Sequence, residues 1–126
     1  MKRALIALAV SIVLSAALIT MGTGSVNAYV RMRLPEAEKA LAMLEQGDFV
    51  GAAGVLNAML EQWPGDRKNL AIFVDHHQLD DLFLEMTSAY YSCGQRNADA
   101  VSQCATLVAL IRHFPDMNKL RIEVFL

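Results

Sequence analysis

The sequence predicts an all-α protein: a small antiparallel bundle of about four helices, arranged as two hairpins, behind an N-terminal transmembrane or signal helix. Three observations lead there. Residues 4–21 (ALIALAVSIVLSAALITM) are apolar apart from Ser11, Ser15 and Thr20. Beyond them, apolar residues recur every three or four positions, the spacing of one helix face. Pro35, Pro64 and Pro115, together with Gly47 and Gly94, divide that spacing into pieces of helix length.

The first element is the apolar run. A helix over residues 4–21 rises about 27 Å, close to the thickness of a bilayer's hydrocarbon layer. Lys2 and Arg3 precede it and favour a cytoplasmic N-terminus, which puts the rest of the chain outside. Val26-Asn27-Ala28 is a small-x-small cleavage site, so a signal peptide removed near Ala28, leaving a secreted domain, is the alternative. Against cleavage, the run is longer than the usual signal core of about 7–15 residues. Arg31 and Arg33 weaken the charge asymmetry across the span. Either way the division is the same: residues 1–28 as anchor or signal, residues 29–126 as one extracytoplasmic helical domain.

That domain holds all 13 Asp and Glu and nine of the 11 Lys and Arg, a formal charge of −4. Mild acidity argues against nucleic acid, which needs a clustered basic surface. No polybasic patch is present for anionic lipid heads. Cys93 and Cys104 flank a turn, and helical rise offsets them by about 10 Å along a hairpin. A disulfide needs Cα atoms within about 7 Å, so buried thiols are expected rather than a bridge.

The remaining elements follow in order. A helix opening at Pro35 carries Glu36 and Glu38 in its first turn, the stripe Leu34, Ala37, Leu41, Leu44, and a stop at Gly47. Asp48 caps the next, whose stripe is Phe49, Ala52, Leu56, Met59, Trp63; Gly51 and Gly54 weaken it but allow a neighbour close approach. Pro64-Gly65 ends it. Asp66 then caps a long helix reaching Cys93 or Gly94, with the seam Ile72, His76, Leu79, Phe83, Met86, Tyr90, Cys93. Asn97 or Asp99 starts the last helix, with the stripe Cys104, Leu107, Ile111, Phe114, closed by Pro115. The tail from Leu120 alternates apolar and charged residues and ends Val124-Phe125-Leu126, consistent with a short extended segment or one docked helical turn.

Leu56-Asn57-Ala58-Met59-Leu60-Glu61-Gln62-Trp63-Pro64 aligns with Leu107-Val108-Ala109-Leu110-Ile111-Arg112-His113-Phe114-Pro115, and Asp48 then falls on Asp99. The physical reading is two helical hairpins, each with an aromatic-Pro stop, packed face to face. Gly47-Asp48-Phe49-Val50-Gly51-Ala52 with Leu56, Met59 and Pro64 resembles the second half of a tetratricopeptide repeat. A solenoid needs about three repeats and this chain has room for two at most, so the likeness is one of hairpin chemistry.

Trp63, the segment Phe73-Val74-Asp75-His76-His77-Gln78-Leu79-Asp80, Leu110-Ile111-Arg112-His113-Phe114-Pro115 and the ending Leu120-Arg121-Ile122-Glu123-Val124-Phe125-Leu126 together resemble one bacterial family of unknown function. Its members are short proteins of Gram-positive anaerobes. The resemblance implies an N-terminal membrane segment and a helical external domain, and it implies no activity.

The polar residue that stands out is His76, on an otherwise apolar seam, with Asp80 one turn on to hold its ring. The bland reading is a core histidine satisfied by Asp80. The sharper ones are a metal or ligand-sensing site from His76, Asp80 and His113, or a pH sensor at His76. No nucleophile elbow, phosphate-binding Gly-rich loop, His-Glu-x-x-His or Cys-x-x-Cys is present. The sequence therefore predicts a non-enzymatic protein without a cofactor: an accessory or adaptor module for a membrane or envelope partner. Trp63, Tyr90 and the apolar C-terminus are its candidate interface anchors.

Overall fold

The computed structural model describes residues 1–125, with side chains described as far as Asn118. Its elements are α1 (Lys2–Glu45), α2 (Phe49–Leu70), α3 (His76–Gly94) and α4 (Asp99–Phe125). Each helix packs on two neighbours: α1 on α2 and α4, and α3 on α2 and α4. Among the described residues neither diagonal pair touches, so the helices run up and down around one shared core. The all-α bundle and its two hairpins stand as predicted.

Three of the helices, α1, α2 and α4, are longer than predicted because no proline stops them, and α3 is shorter. Pro35, Pro64 and Pro115 lie inside α1, α2 and α4. A helix-interior proline loses one backbone bond and crowds an earlier carbonyl, at a cost of about 3 kcal/mol. Core residues on both sides offset that cost: Arg33 and Ala37 around Pro35, Trp63 and Leu70 around Pro64, Phe114 and Asn118 around Pro115. Asp66, expected as a cap, therefore lies within α2, and α3 starts ten residues later at His76. In the tail the backbone is helical to Phe125; Leu126 and the docking of the tail's side chains lie outside the described residues.

Two of the three turns share one closing device. At the end of α1 the Gly47 N–H donates to Leu44 O (3.0 Å) and the Asp48 N–H to Met43 O (2.8 Å), with Gly47 at φ 79°. This is a Schellman closure, and a left-handed φ is what glycine supplies without strain. At the end of α3 the Arg96 N–H donates to Cys93 O (3.1 Å) and the Asn97 N–H to Ser92 O (2.9 Å), but here an arginine holds φ 51°. The helix starts match as well. Asp48 Oδ1 accepts from the Gly51 N–H at 2.9 Å, and Asn97 Oδ1 from the Asp99 N–H at 3.0 Å. Gly51 proves to make room for the Asp48 carboxylate rather than for a neighbouring helix, and nothing approaches Gly54.

α1 reaches the core through Gly22, Val26, Tyr29, Arg33, Ala37, Ala40 and Leu44, in steps of three and four. Facing it are Ala52, Leu56, Met59 and Trp63 of α2, and Cys104, Leu107, Ile111 and Phe114 of α4. α3 closes the ring with Leu79, Leu82, Met86, Ala89 and Cys93. The packed part of α1 begins at Gly22, ahead of the boundary expected between residues 28 and 29. Before Gly22 the helix stands clear of the bundle, with Ser15 and Ile19 alone half-buried. At 44 residues α1 is about 66 Å long. It is long and apolar enough to cross a membrane, with a mean hydropathy of 2.5 over its best window, none of it buried.

Candidate functional site

The residues singled out from the sequence do not come together. His76 is the first residue of α3 and is exposed, as are Asp80 one turn on and His113 on α4. No group of three or more His, Cys, Asp or Glu that could hold a metal ion occurs among the described residues. The seam expected through Ile72 and His76 is displaced for a simple reason. Residue 72 belongs to the turn, 78% exposed, and the true α3 stripe starts at Leu79. His76 is therefore neither a core histidine nor part of a three-ligand group. Trp63, expected as an interface anchor, is 4% exposed and belongs to the core, whereas Tyr90 is half-buried.

The polar site that does form is built on Arg33. Its place in the α1 stripe turns an arginine into the bundle, where it is 8% exposed. Nε donates to Asp66 Oδ2 at 2.8 Å and Nη2 to Asp66 Oδ1 at 3.3 Å, a two-pronged pairing across the α1–α2 interface. Nη1 reaches both carboxylate oxygens of Glu36, one turn on, at 3.3 Å. The bond to Asp66 holds the guanidinium still more firmly protonated than usual. Sequence reasoning missed this pair because Pro35 was taken to open a helix and Asp66 to cap one. The signal was present: Arg33 continues the Val26, Tyr29, Ala37 spacing backwards through the proline.

Around this pair lies an aromatic cluster. Tyr29 meets Trp63 edge-on at 6.3 Å between ring centres and Phe114 at 5.9 Å, and Trp63 stacks on Phe83 at 6.2 Å. The Tyr29 hydroxyl is buried and makes no hydrogen bond. Burial, and then the negative charge of Asp66, push its ionisation far above the ordinary tyrosine range, so it stays neutral. The carboxamide oxygen of Asn118, fully buried on α4, also lacks a partner, while its Nδ2 donates to Phe114 O at 2.8 Å. Chemically this is a clasp: an ion pair with an apolar wall, joining α1 to α2 with no open nucleophile or base.

Both cysteines are free and buried. The Cys104 thiol points at Ala37 O, 3.7 Å away across the α1–α4 interface. Burial, reinforced by nearby Cys93, pushes the Cys104 thiol up to about 12, and burial raises Cys93 too, so both are inert as nucleophiles at neutral pH.

The model of a domain of unknown function, DUF4363, matches residues 23–124. The chain belongs to this family. No curated protein and no solved structure matches it. The stretch shared with DUF4363 begins one residue after Gly22, where the core of the bundle begins, and leaves out the exposed apolar run. It includes the whole clasp: Tyr29, Arg33, Glu36, Trp63, Asp66 and Phe114.

Proposed function

We propose that this DUF4363 chain is a single-span, membrane-anchored accessory module, non-catalytic, with its N-terminus in the cytoplasm and its bundle outside. One observation carries the reading: α1 is unbroken from the exposed apolar run into the core. Cleavage near Ala28 would take away Gly22 and Val26, the latter 2% exposed among core residues. A signal peptide is discarded, and a discarded segment has no reason to fill the core of what remains. Intact mass of the protein from the membrane fraction tests this. The expected species retains residues 1–28, and a chain beginning at Tyr29 overturns the anchor.

The adaptor role rests on the kind of site the bundle holds. Among the described residues, the charged cluster that the bundle buries is an internal clasp joining α1 to α2, an arrangement suited to rigidity. Cross-linking in native membranes followed by mass spectrometry is expected to enrich a membrane or envelope protein. Recovery of the chain with no enriched partner would sink the adaptor role.

A further inference from the structure

The turn between α2 and α3 differs in kind from the other two. Those are built from Gln46-Gly47-Asp48 and from Gln95-Arg96-Asn97, the polar residues that suit a solvated turn. This one reads Ala71-Ile72-Phe73-Val74-Asp75, four apolar residues in a row before the Asp75 cap of α3. Leu70 and Val74 are tied into the core, and Phe73 packs against it. Ile72 points away at 78% exposure, more than any other large apolar residue among the described ones except Met1.

Its position explains what such a turn can face. The short connection between Glu45 and Phe49 folds α2 back along α1, on which it packs, so the α2–α3 turn lies at the end of the bundle where residues 2–21 leave it. Carrying α2 on from its contacts with α1, Arg33–Asp66 and Tyr29–Trp63, sets residue 72 level with roughly residues 20–27 of α1, between the last turn of the apolar run and about 9 Å past it. The headgroup layer of a bilayer is about 5–8 Å deep on each side, from its total and hydrocarbon thicknesses. The two ranges overlap. Arg67 and Lys68, in the last turn of α2, suit the phosphates of that layer, while Asp75 closes the turn and His76 and His77 open α3.

We propose that the α2–α3 turn is a second membrane contact, in which Ile72 enters the headgroup–acyl boundary of the bilayer that α1 crosses. The proposal rests on the anchor reading, and the test separates the two. Three variants of the full chain, Leu8→Trp in the run, Ile72→Trp in the turn and Val50→Trp at the far end, are placed in vesicles of brominated phosphatidylcholine with phosphatidylglycerol. Val50 is nearly as exposed as Ile72, at 75%, and is the matched control. Fluorescence is measured as the difference from the unsubstituted chain, whose Trp63 is buried. The expected result is strong quenching at positions 8 and 72 and none at 50. Quenching at 8 without quenching at 72 overturns the second contact and leaves the anchor standing. No quenching at 8 overturns the anchor and the contact with it. Equal quenching at 72 and 50 also overturns the proposal, because it shows a chain lying in the lipid without a preferred turn.

Discussion

Arg33 shows how a single charged residue can hold two helices. It sits where an aliphatic residue would be ordinary, and Asp66 gives it a partner with matching geometry. Exposed ion pairs contribute about 0–1 kcal/mol, whereas breaking a buried one costs about 3–5 kcal/mol because a charge is stranded. Asp66 and Glu36 keep some solvent access, with side chains 19% and 38% exposed, so the clasp falls between these limits. Asp66→Ala is expected to destabilise the bundle by about 2–3 kcal/mol in thermal or denaturant unfolding. The double change Arg33→Met with Asp66→Leu should recover most of that loss, since it strands no charge. A double variant as unstable as Asp66→Ala would show that the pairing itself is essential.

Cys104 makes a pH prediction at the same scale. Its folded-state thiol holds its proton up to about 12, against an ordinary value of 9.0. The folded chain therefore binds this proton more tightly than the unfolded chain. The stabilisation is complete below pH 9 and is lost as pH climbs from about 9 towards about 12. Melting temperature should fall across that window, and Cys104→Ala should make the fall shallower. An unchanged slope in Cys104→Ala would assign the loss to other groups, Tyr29 first among them.

Among the elements, helix faces were easier to read than helix ends. The stripes Phe49-Ala52-Leu56-Met59-Trp63 and Cys104-Leu107-Ile111-Phe114 are visible from spacing alone; Phe49 is half-buried and the other eight residues are buried. The prolines misled because a local cost of about 3 kcal/mol was weighed without the packing on either side. The edge-on contact of Tyr29 with Trp63 and its tilted contact with Phe114 are one such contribution, hidden while Tyr29 reads as the start of a domain. The clasp is illegible for the same reason, since Arg33 reads as a charge flanking the apolar run and Asp66 as a helix cap. Turn chemistry was half legible. Gly47 was recognised as a stop, but the matching position after α3 is Arg96, which carries no glycine signal. Arg96→Gly is expected to raise stability by about 1 kcal/mol in denaturant unfolding, because glycine takes a left-handed φ without the clash of a Cβ. Gly47→Ala should lower it by a similar amount. If Arg96→Gly is destabilising, the arginine side chain makes a contact that outweighs its backbone strain.

For the whole molecule, the question is where the domain begins. The buried residues Gly22 and Val26 and the shared stretch from residue 23 agree on a start inside α1, ahead of Tyr29. Burying a valine side chain contributes about 1.5–3 kcal/mol. A fragment of residues 29–126 should therefore melt at least about 5 °C below one of residues 22–126, on the usual relation for domains of this size. Equal melting temperatures, followed by circular dichroism, would place the true start at Tyr29.

The unbroken α1 also sets how the bundle can move. A linker would let a domain tumble independently of its anchor, but here there is no joint. From Gly22 to Glu45 the helix continues for about 36 Å above the apolar run. Spans in membranes tilt by about 20° on average, and that angle displaces the Gly47 turn sideways by about 12 Å. Rotation of the span about its own axis turns Arg112, Glu38 and every other outward group through the same angle. On the proposed anchor, the bundle is a pointer whose bearing is decided inside the bilayer.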